Sequence, residues 1–348
     1  GQVREPGQYT FTINATDSSE IPLQGSVTLT LHVIADTPIP AGEAPVLEEA
    51  GATSVPDLST TKPGAGFADE SLENLASDLL GHRYVAGFAY NGKDYDIQLL
   101  QFDRNGHVLW RQVFDAGSHE YGYGLAGSPY DQSIFVAGLA LVGNRYQAIL
   151  LNYDTTGVLR WQKTLSESAA DALYAVVADQ TGVYAVGERY NGHDFDALIA
   201  RFNQAGDLQW QTQYATQTND TAYHADLSCT PACVLSVVGA QGVNGRSGWI
   251  ARVNPQDGVL QTTQLIPQMA VLAVQTLSTG DVVIGGTQAN NWLLQRLDHT
   301  LTPVWQSTVD QGADDLFRAL AVDREDFIYA VGRSSNGRNN DAAVVALQ

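Results

Sequence analysis

The chain has 348 residues, with 38 Asp and Glu against 18 Lys and Arg and a formal net charge of −20. So acidic a balance excludes a nucleic-acid partner, because a phosphate backbone is held through Lys and Arg, and it disfavours anionic membrane surfaces. No run of about eighteen apolar residues offers a membrane span, and 44% hydrophobic residues with six Trp exclude disorder.

The chain starts Gly1-Gln2-Val3, without an initiator Met or a secretory leader, and reads as a processed product or a fragment. Residues 1–35 alternate strictly in two runs, Tyr9-Thr-Phe-Thr-Ile-Asn-Ala and Ser26-Val-Thr-Leu-Thr-Leu-His-Val33, as half-buried strands do. They resemble the closing half of a bacterial Ig-like (cadherin-like) module whose earlier strands are missing. Because a lone hairpin is marginal in water, this segment is expected to pack on the rest of the chain, to complete an upstream domain, or to pair with another chain. Residues 36–66 carry Pro38, Pro40, Pro45, Pro56 and Pro63 and read as an extended linker.

From residue 67 to 348 a unit repeats six times. Its first anchor is an apolar strand ending in Gly, at Gly87, Gly138, Gly187, Gly239, Gly286 and Gly332, with successive spacings of 51, 49, 52, 47 and 46 residues. The second is a strand, a polar turn and a Trp, in Gln-Phe-Asp-Arg-Asn-Gly106-His-Val-Leu-Trp110, Asn-Tyr-Asp-Thr-Thr-Gly157-Val-Leu-Arg-Trp161 and Arg-Phe-Asn-Gln-Ala-Gly206-Asp-Leu-Gln-Trp210. Trp305 continues the series, and the fourth unit has Gln261 instead. Each unit offers about four short strands between Gly, Asn and Asp turns, which predicts an all-β six-bladed β-propeller with each Trp wedged between neighbouring blades. The sixth unit stops after its third strand, so a segment within 46–61 is expected to supply the missing outer strand and cover the open edge.

These repeats resemble bacterial β-propeller repeat families, and their Gly-x-x-x-Trp turn is similar to that of quinoprotein (PQQ) blades. The resemblance covers about 280 residues and implies fold rather than activity; neither the eight-blade count nor the catalytic signature of quinoproteins is present. Cys229-Thr-Pro-Ala-Cys233 places two thiols across a turn between strands and predicts a disulfide; two Cys alone do not complete a zinc site. With three Lys, two Cys and an acidic surface, the chain reads as a bacterial secreted or cell-surface protein, the periplasm included.

Ten residues after each repeat Trp stands a carboxylate: Glu120, Asp171, Asp220 and Asp315, with Glu73 offered by the first unit. In a propeller this position opens the innermost strand, so the acids should surround one mouth of the channel, with Tyr123 and Tyr223 beside them. Converging like charges attract cations, and aromatic rings next to carboxylates suit sugars or cationic groups. The alternative is that each acid caps backbone N–H groups. On the same face lie Asn91-Gly-Lys-Asp94-Tyr-Asp96, Asn191-Gly-His-Asp194-Phe-Asp196 and Asn336-Gly-Arg-Asn-Asn-Asp341. Their oxygens suit Ca²⁺, and Asx turns explain the same residues; no other cofactor is indicated.

His119, His193 and His224 are expected near this acidic face, with His224 close enough to Asp220 for acid/base work or simply structural. No nucleophile elbow, zinc motif or phosphate loop occurs. The functional expectation is an extracellular binding or adhesion module for a carbohydrate, cationic or protein ligand. A secreted carbohydrate-active hydrolase or lyase and a structural subunit of a surface assembly are the alternatives.

Overall fold

The computed structural model describes residues 7–16, 24–33, 48–49, 70–77, 82–103, 107–128, 130–165, 168, 170–229, 232–242, 247–309, 315–335 and 340–347. Two compact units are formed, one of residues 67–280 and one of residues 1–66 with 281–348. All regular structure among the described residues is β-strand, and no helix is long and apolar enough to cross a membrane.

Strands β1 (Gly7–Thr16) and β2 (Gln24–Val33) pair only with each other, antiparallel, from Gly7 opposite Val33 to Thr16 opposite Gln24. An Ig-like assignment would need strands beyond this hairpin. The two-residue β3 (Glu48–Glu49) belongs to the last sheet.

Six four-stranded antiparallel sheets follow in chain order and make a six-bladed β-propeller. The first four are β4 (Glu70–Ser77), β5 (Arg83–Tyr90), β6 (Tyr95–Phe102) and β7 (Val108–Phe114); β8 (Glu120–Gly127), β9 (Ser133–Val142), β10 (Arg145–Asp154) and β11 (Leu159–Leu165); β12 (Asp171–Ala178), β13 (Gly182–Tyr190), β14 (Phe195–Asn203) and β15 (Leu208–Tyr214); and β16 (Asp220–Cys229), β17 (Cys233–Gln241), β18 (Ser247–Val253) and β19 (Leu260–Ile266). The fifth comprises β20 (Ala270–Thr276), β21 (Val282–Gln288), β22 (Asn291–Leu297) and β23 (Pro303–Val309). The sixth has β24 (Leu316–Val322), β25 (Ile328–Ser335) and β26 (Asn340–Leu347), and its fourth strand is β3, with Glu49 opposite Val345 and Glu48 opposite Ala346.

The burial of each strand follows its place in the blade. Middle strands are covered on both faces, so their residues read as continuous apolar runs: Ile134, Phe135, Val136 and Ala137 of β9 and Ala197, Leu198, Ile199 and Ala200 of β14 are all at most 2% exposed. Outer strands such as β11 and β15 alternate, because only one face is covered.

Both sequence anchors have a physical cause. The inner strands β8, β12 and β16 bulge near their third or fourth residue, and the bulge presses a carbonyl onto the facing strand. A Cβ on Gly138, Gly187 or Gly239 would stand 2.0, 1.9 or 1.8 Å from the carbonyl oxygen of Tyr121, Ala172 or Thr221, so only glycine fits there. The Trp residues lock successive blades. Trp110, Trp161 and Trp210 donate through Nε1 to the carbonyls of Thr155, Gln204 and Pro255 on the next blade, at 3.1, 2.9 and 3.2 Å. Their rings lie over Gly157, Gly206 and Gly258, which turn the chain at positive φ and leave no room for a side chain.

Cys229 and Cys233 face each other across the β16–β17 hairpin and are disulfide-bonded.

Candidate ligand-binding site

The acids that follow the repeat Trp residues do begin the inner strands. Glu120, Asp171 and Asp220 open β8, β12 and β16, and Asp315 immediately precedes β24. They do not form an open rim, however: Glu120 and Asp220 are 0% exposed, Asp171 2% and Asp315 3%. Burying a carboxylate is costly unless it is answered locally, and each answer here is different.

Asp171 is met by Arg189 on the facing strand, whose Nε lies 3.3 Å from Oδ2, and it also accepts from the Ser168 hydroxyl. Asp220 accepts from the Thr216 backbone N–H at 2.6 Å and the Thr216 hydroxyl at 3.1 Å. Asp315 accepts from the Ser334 hydroxyl at 2.6 Å. Glu120 accepts from the Ala116 N–H at 3.2 Å through Oε2, while its Oε1 has no hydrogen-bond partner. Burial, with Asp115 and Asp96 adding repulsion, pushes the Glu120 carboxyl up to about 7; the N–H groups of Ala116 and Ser118 pull the other way. Burial raises Asp220 as well, and Thr216 offsets part of that rise.

Glu73 is not the first-blade counterpart of these acids. Strand register gives that place to Glu70, which faces Ala89 two residues beyond Gly87, as Glu120 faces Ala140 two residues beyond Gly138. Glu73 is exposed and stands at the β4 bulge between Leu72 and Asn74. Its equivalents at the other bulges are Tyr123, Tyr174 and Tyr223, with Arg318 at the bulge of β24.

In the unit of residues 67–280 these bulge residues make a surface. The ring of Tyr174 lies 5.5 Å from Tyr123 and 6.0 Å from Tyr223, so three successive inner strands present a continuous aromatic arc. Glu188 is tied to it, accepting from the Tyr174 hydroxyl at 2.8 Å and the Thr221 hydroxyl at 2.7 Å. Burial raises all three phenols, that of Tyr123 to about 12, and the Glu73 and Glu188 carboxylates reinforce the rise at Tyr123. Tyr121 extends the arc, 6.4 Å from Tyr123, and reaches Tyr95 at 5.5 Å and His119 at 6.2 Å. Tyr123 and Tyr223 were among the residues expected beside the acids. Tyr174 and Glu188 were not, although Tyr174 stands three residues after Asp171, as Tyr123 does after Glu120.

The Asn-Gly loops are Asx turns. Asn91 Oδ1 accepts from the N–H groups of Lys93 and Asp94, and its Nδ2 donates to Asp94 at 2.7 Å and Asp96 at 2.9 Å. Asn191 repeats this with His193, Asp194 and Asp196. Asp94 also binds Lys93 Nζ at 3.0 Å, which holds its carboxyl below the usual range, and Asp194 likewise has its oxygen on Asn191 rather than free. Asp94 is thus engaged by Lys93 and Asn91, and at Asp194 and Asp196 the Asx turn accounts for the oxygens that are bound. Strand β26 pairs Asp341 with Ser334, but the Asp341 side chain lies outside the described residues.

Asp96 differs. One oxygen from each of Asp96, Asp115 and Glu120 lies within 4.8 Å of the others. Asp115 went unread in the sequence because it sits in the connection between blades, outside the repeat spacing.

His119 and His224 are hydrogen-bonded within the fold, and His193 is exposed. His119 Nδ1 accepts from the Tyr95 N–H at 3.3 Å, and His224 Nδ1 accepts from Val274 N–H at 3.5 Å. Burial lowers the His224 pKa, and Asp220 is bound to Thr216, so the two do not form an acid/base pair.

No protein-family model and no curated protein matches the sequence. Solved propellers are similar in fold. A protein of unknown function from Dyadobacter fermentans aligns with a TM-score of 0.57 at 10% identity over 81% of this chain and 96% of its own. A catalytically inactive virginiamycin B lyase from Staphylococcus aureus, solved with quinupristin, aligns at 0.55 with 12% identity over 83% and 84%. The WD40 repeats of RRP9 align at 0.54 with 13% identity over 79% of each chain.

Proposed function

We propose that this chain is an extracellular binding module that recognises a carbohydrate through the aromatic arc of its inner strands. The observation that carries this reading is the ring contact of Tyr123, Tyr174 and Tyr223 on three successive strands, with Glu188 hydrogen-bonded into the same surface. Half-buried tyrosines offer flat apolar faces to sugar C–H groups, and Glu188 and Glu73 supply acceptors for hydroxyls. The Cys229–Cys233 disulfide supports an oxidising compartment. β1 and β2, with ten residues each of paired backbone, are the segment through which the chain would join a neighbouring domain or chain.

The hydrolase alternative asks for an accessible pair of carboxyls. Glu120 has the raised pKa of a general acid, but it is 0% exposed and out of reach of a polymeric substrate, which favours binding over turnover.

A glycan array followed by titration calorimetry tests the proposal. Wild type should bind at least one glycan class, and Tyr123→Ala/Tyr223→Ala should weaken it by at least tenfold with the fold intact. Unchanged binding in that variant, or recognition of cationic peptides in place of glycans, would overturn it.

A further inference from the structure

We propose that Asp96, Asp115 and Glu120 form a calcium site at the junction of the first two blades, distinct from the tyrosine arc. Three chain segments converge there: Asp96 is the second residue of β6, Asp115 follows β7, and Glu120 opens β8. Each carboxylate is anchored through one oxygen. Asp96 Oδ2 accepts from Asn91 Nδ2 at 2.9 Å, Asp115 Oδ1 from the Gly117 N–H at 2.6 Å, and Glu120 Oε2 from the Ala116 N–H at 3.2 Å. This fixes the three groups in position.

The second observation is what remains. Asp96 is 4% exposed and Glu120 0%, yet Asp96 Oδ1 and Glu120 Oε1 have no hydrogen-bond partner. A buried carboxylate oxygen without a donor carries its full desolvation cost, and here two of them share one small cluster. A cation between them would satisfy both at once. Asp115 is exposed and leaves the cluster open to solvent, which gives the ion an entry path and room for water ligands.

The chemistry selects the ion. The donors are all carboxylate oxygens, which suit hard cations. The three oxygens lie within 4.8 Å of one another, close enough to share one ion, and their irregular arrangement suits the flexible coordination of Ca²⁺ better than the strict octahedron of Mg²⁺. The surrounding charges are Lys93, Asp94 and His119. Lys93 is committed to Asp94 at 3.0 Å and reaches the Gly117 carbonyl at 3.4 Å; His119 uses Nδ1 on the Tyr95 N–H.

Calorimetric titration of the full chain with CaCl₂ and with MgCl₂ tests the site. The expected result is one Ca²⁺ per chain, with an EDTA-reversible rise in Tm and a weaker response to Mg²⁺. Asp115→Ala, at an exposed position, should fold normally and lose at least tenfold in affinity, whereas Asp220→Asn should bind as wild type does. Absence of calcium-dependent heat and Tm shift at pH 8, wild-type affinity in Asp115→Ala, or equal response to both ions would overturn the proposal.

Discussion

Residues 91–96 with 115–120, and residues 191–196 with 215–220, are two copies of one junction between successive blades. Both open on an Asx turn around Asn91 or Asn191, and both use the residue before the inner-strand acid to accept a backbone N–H: His119 from Tyr95, Asn219 from Phe195 at 3.1 Å. Two of their differences bear on the acid. Where the first has Asp115 and Ala116, the second has Ala215 and Thr216. The Thr216 hydroxyl adds a donor that Ala116 cannot offer, so Asp220 is bonded through both oxygens, whereas Glu120 Oε1 has no donor. The added Thr216 hydroxyl thus separates an acid bonded through both oxygens by its own loop from an acid with one oxygen left without a donor.

The intervening junction answers its acid in a third way, and breaking it should have the largest effect. Asp171 is 2% exposed and faces Arg189 from the neighbouring strand of its own blade. Removing the guanidinium in Arg189→Ala strands a buried carboxylate, and urea unfolding should show a loss of about 3–5 kcal/mol. A loss below about 1 kcal/mol would show that Ser168 alone suffices.

Next comes the pH dependence that the Glu120 carboxyl gives the first junction. The folded-state pKa of Glu120 lies above its ordinary value, so its contribution to stability is fully present below about 4.5 and is lost as pH rises through about 7. The rise from 4.5 to about 7 corresponds to at most about 3 kcal/mol between pH 5 and pH 8 in EDTA. His224 acts oppositely, because its pKa is lowered and its folded form gains stability as pH rises. Comparing wild type with Glu120→Gln cancels that contribution: the variant should lose the Glu120 slope and overtake wild type at pH 8, and parallel curves would refute the assignment.

A smaller effect is expected at the second junction itself. Thr216→Val keeps the backbone N–H and deletes the hydroxyl, leaving Asp220 as Glu120 is now. The cost should be about 1–2 kcal/mol by denaturant unfolding, with the Asp220 carboxyl shifted further upward in an NMR titration.

The contrast also marks what could be read in the sequence. Gly138, Gly187 and Gly239, and Trp110, Trp161 and Trp210, recur at fixed spacing because every blade needs the same close approach and the same lock, so the six-bladed fold was legible from them. The short pairing of Glu48–Glu49 with β26 falls within the stretch from which an outer strand was expected. The site was less legible. The bulge is a register shift of one residue that leaves no mark in composition; it separates Glu73 from Glu120 and groups it with Tyr123, Tyr174 and Tyr223. Asp115 stands where the second junction has Ala215, so it does not recur with the repeat, and its approach to Asp96 follows from the β6–β7 register, in which Ile97 faces Phe114.

The finest test of the comparison is Lys93, which His193 replaces in the second junction. Lys93 is exposed and pairs with Asp94, close enough that Asp115 and Asp96 also favour its charged form. The same proximity means that its positive charge repels any cation approaching the cluster. In Lys93→Gln calcium should bind more tightly, by about threefold or less at low salt, and the gain should shrink as ionic strength rises, because the charge sits in water and is screened. The fold should be unaffected, since an exposed ion pair contributes little. Weaker calcium binding in Lys93→Gln would mean that Lys93 acts by holding the loop of Asn91 in place, and the two junctions would then differ in the rigidity of their turns as well as in their charge.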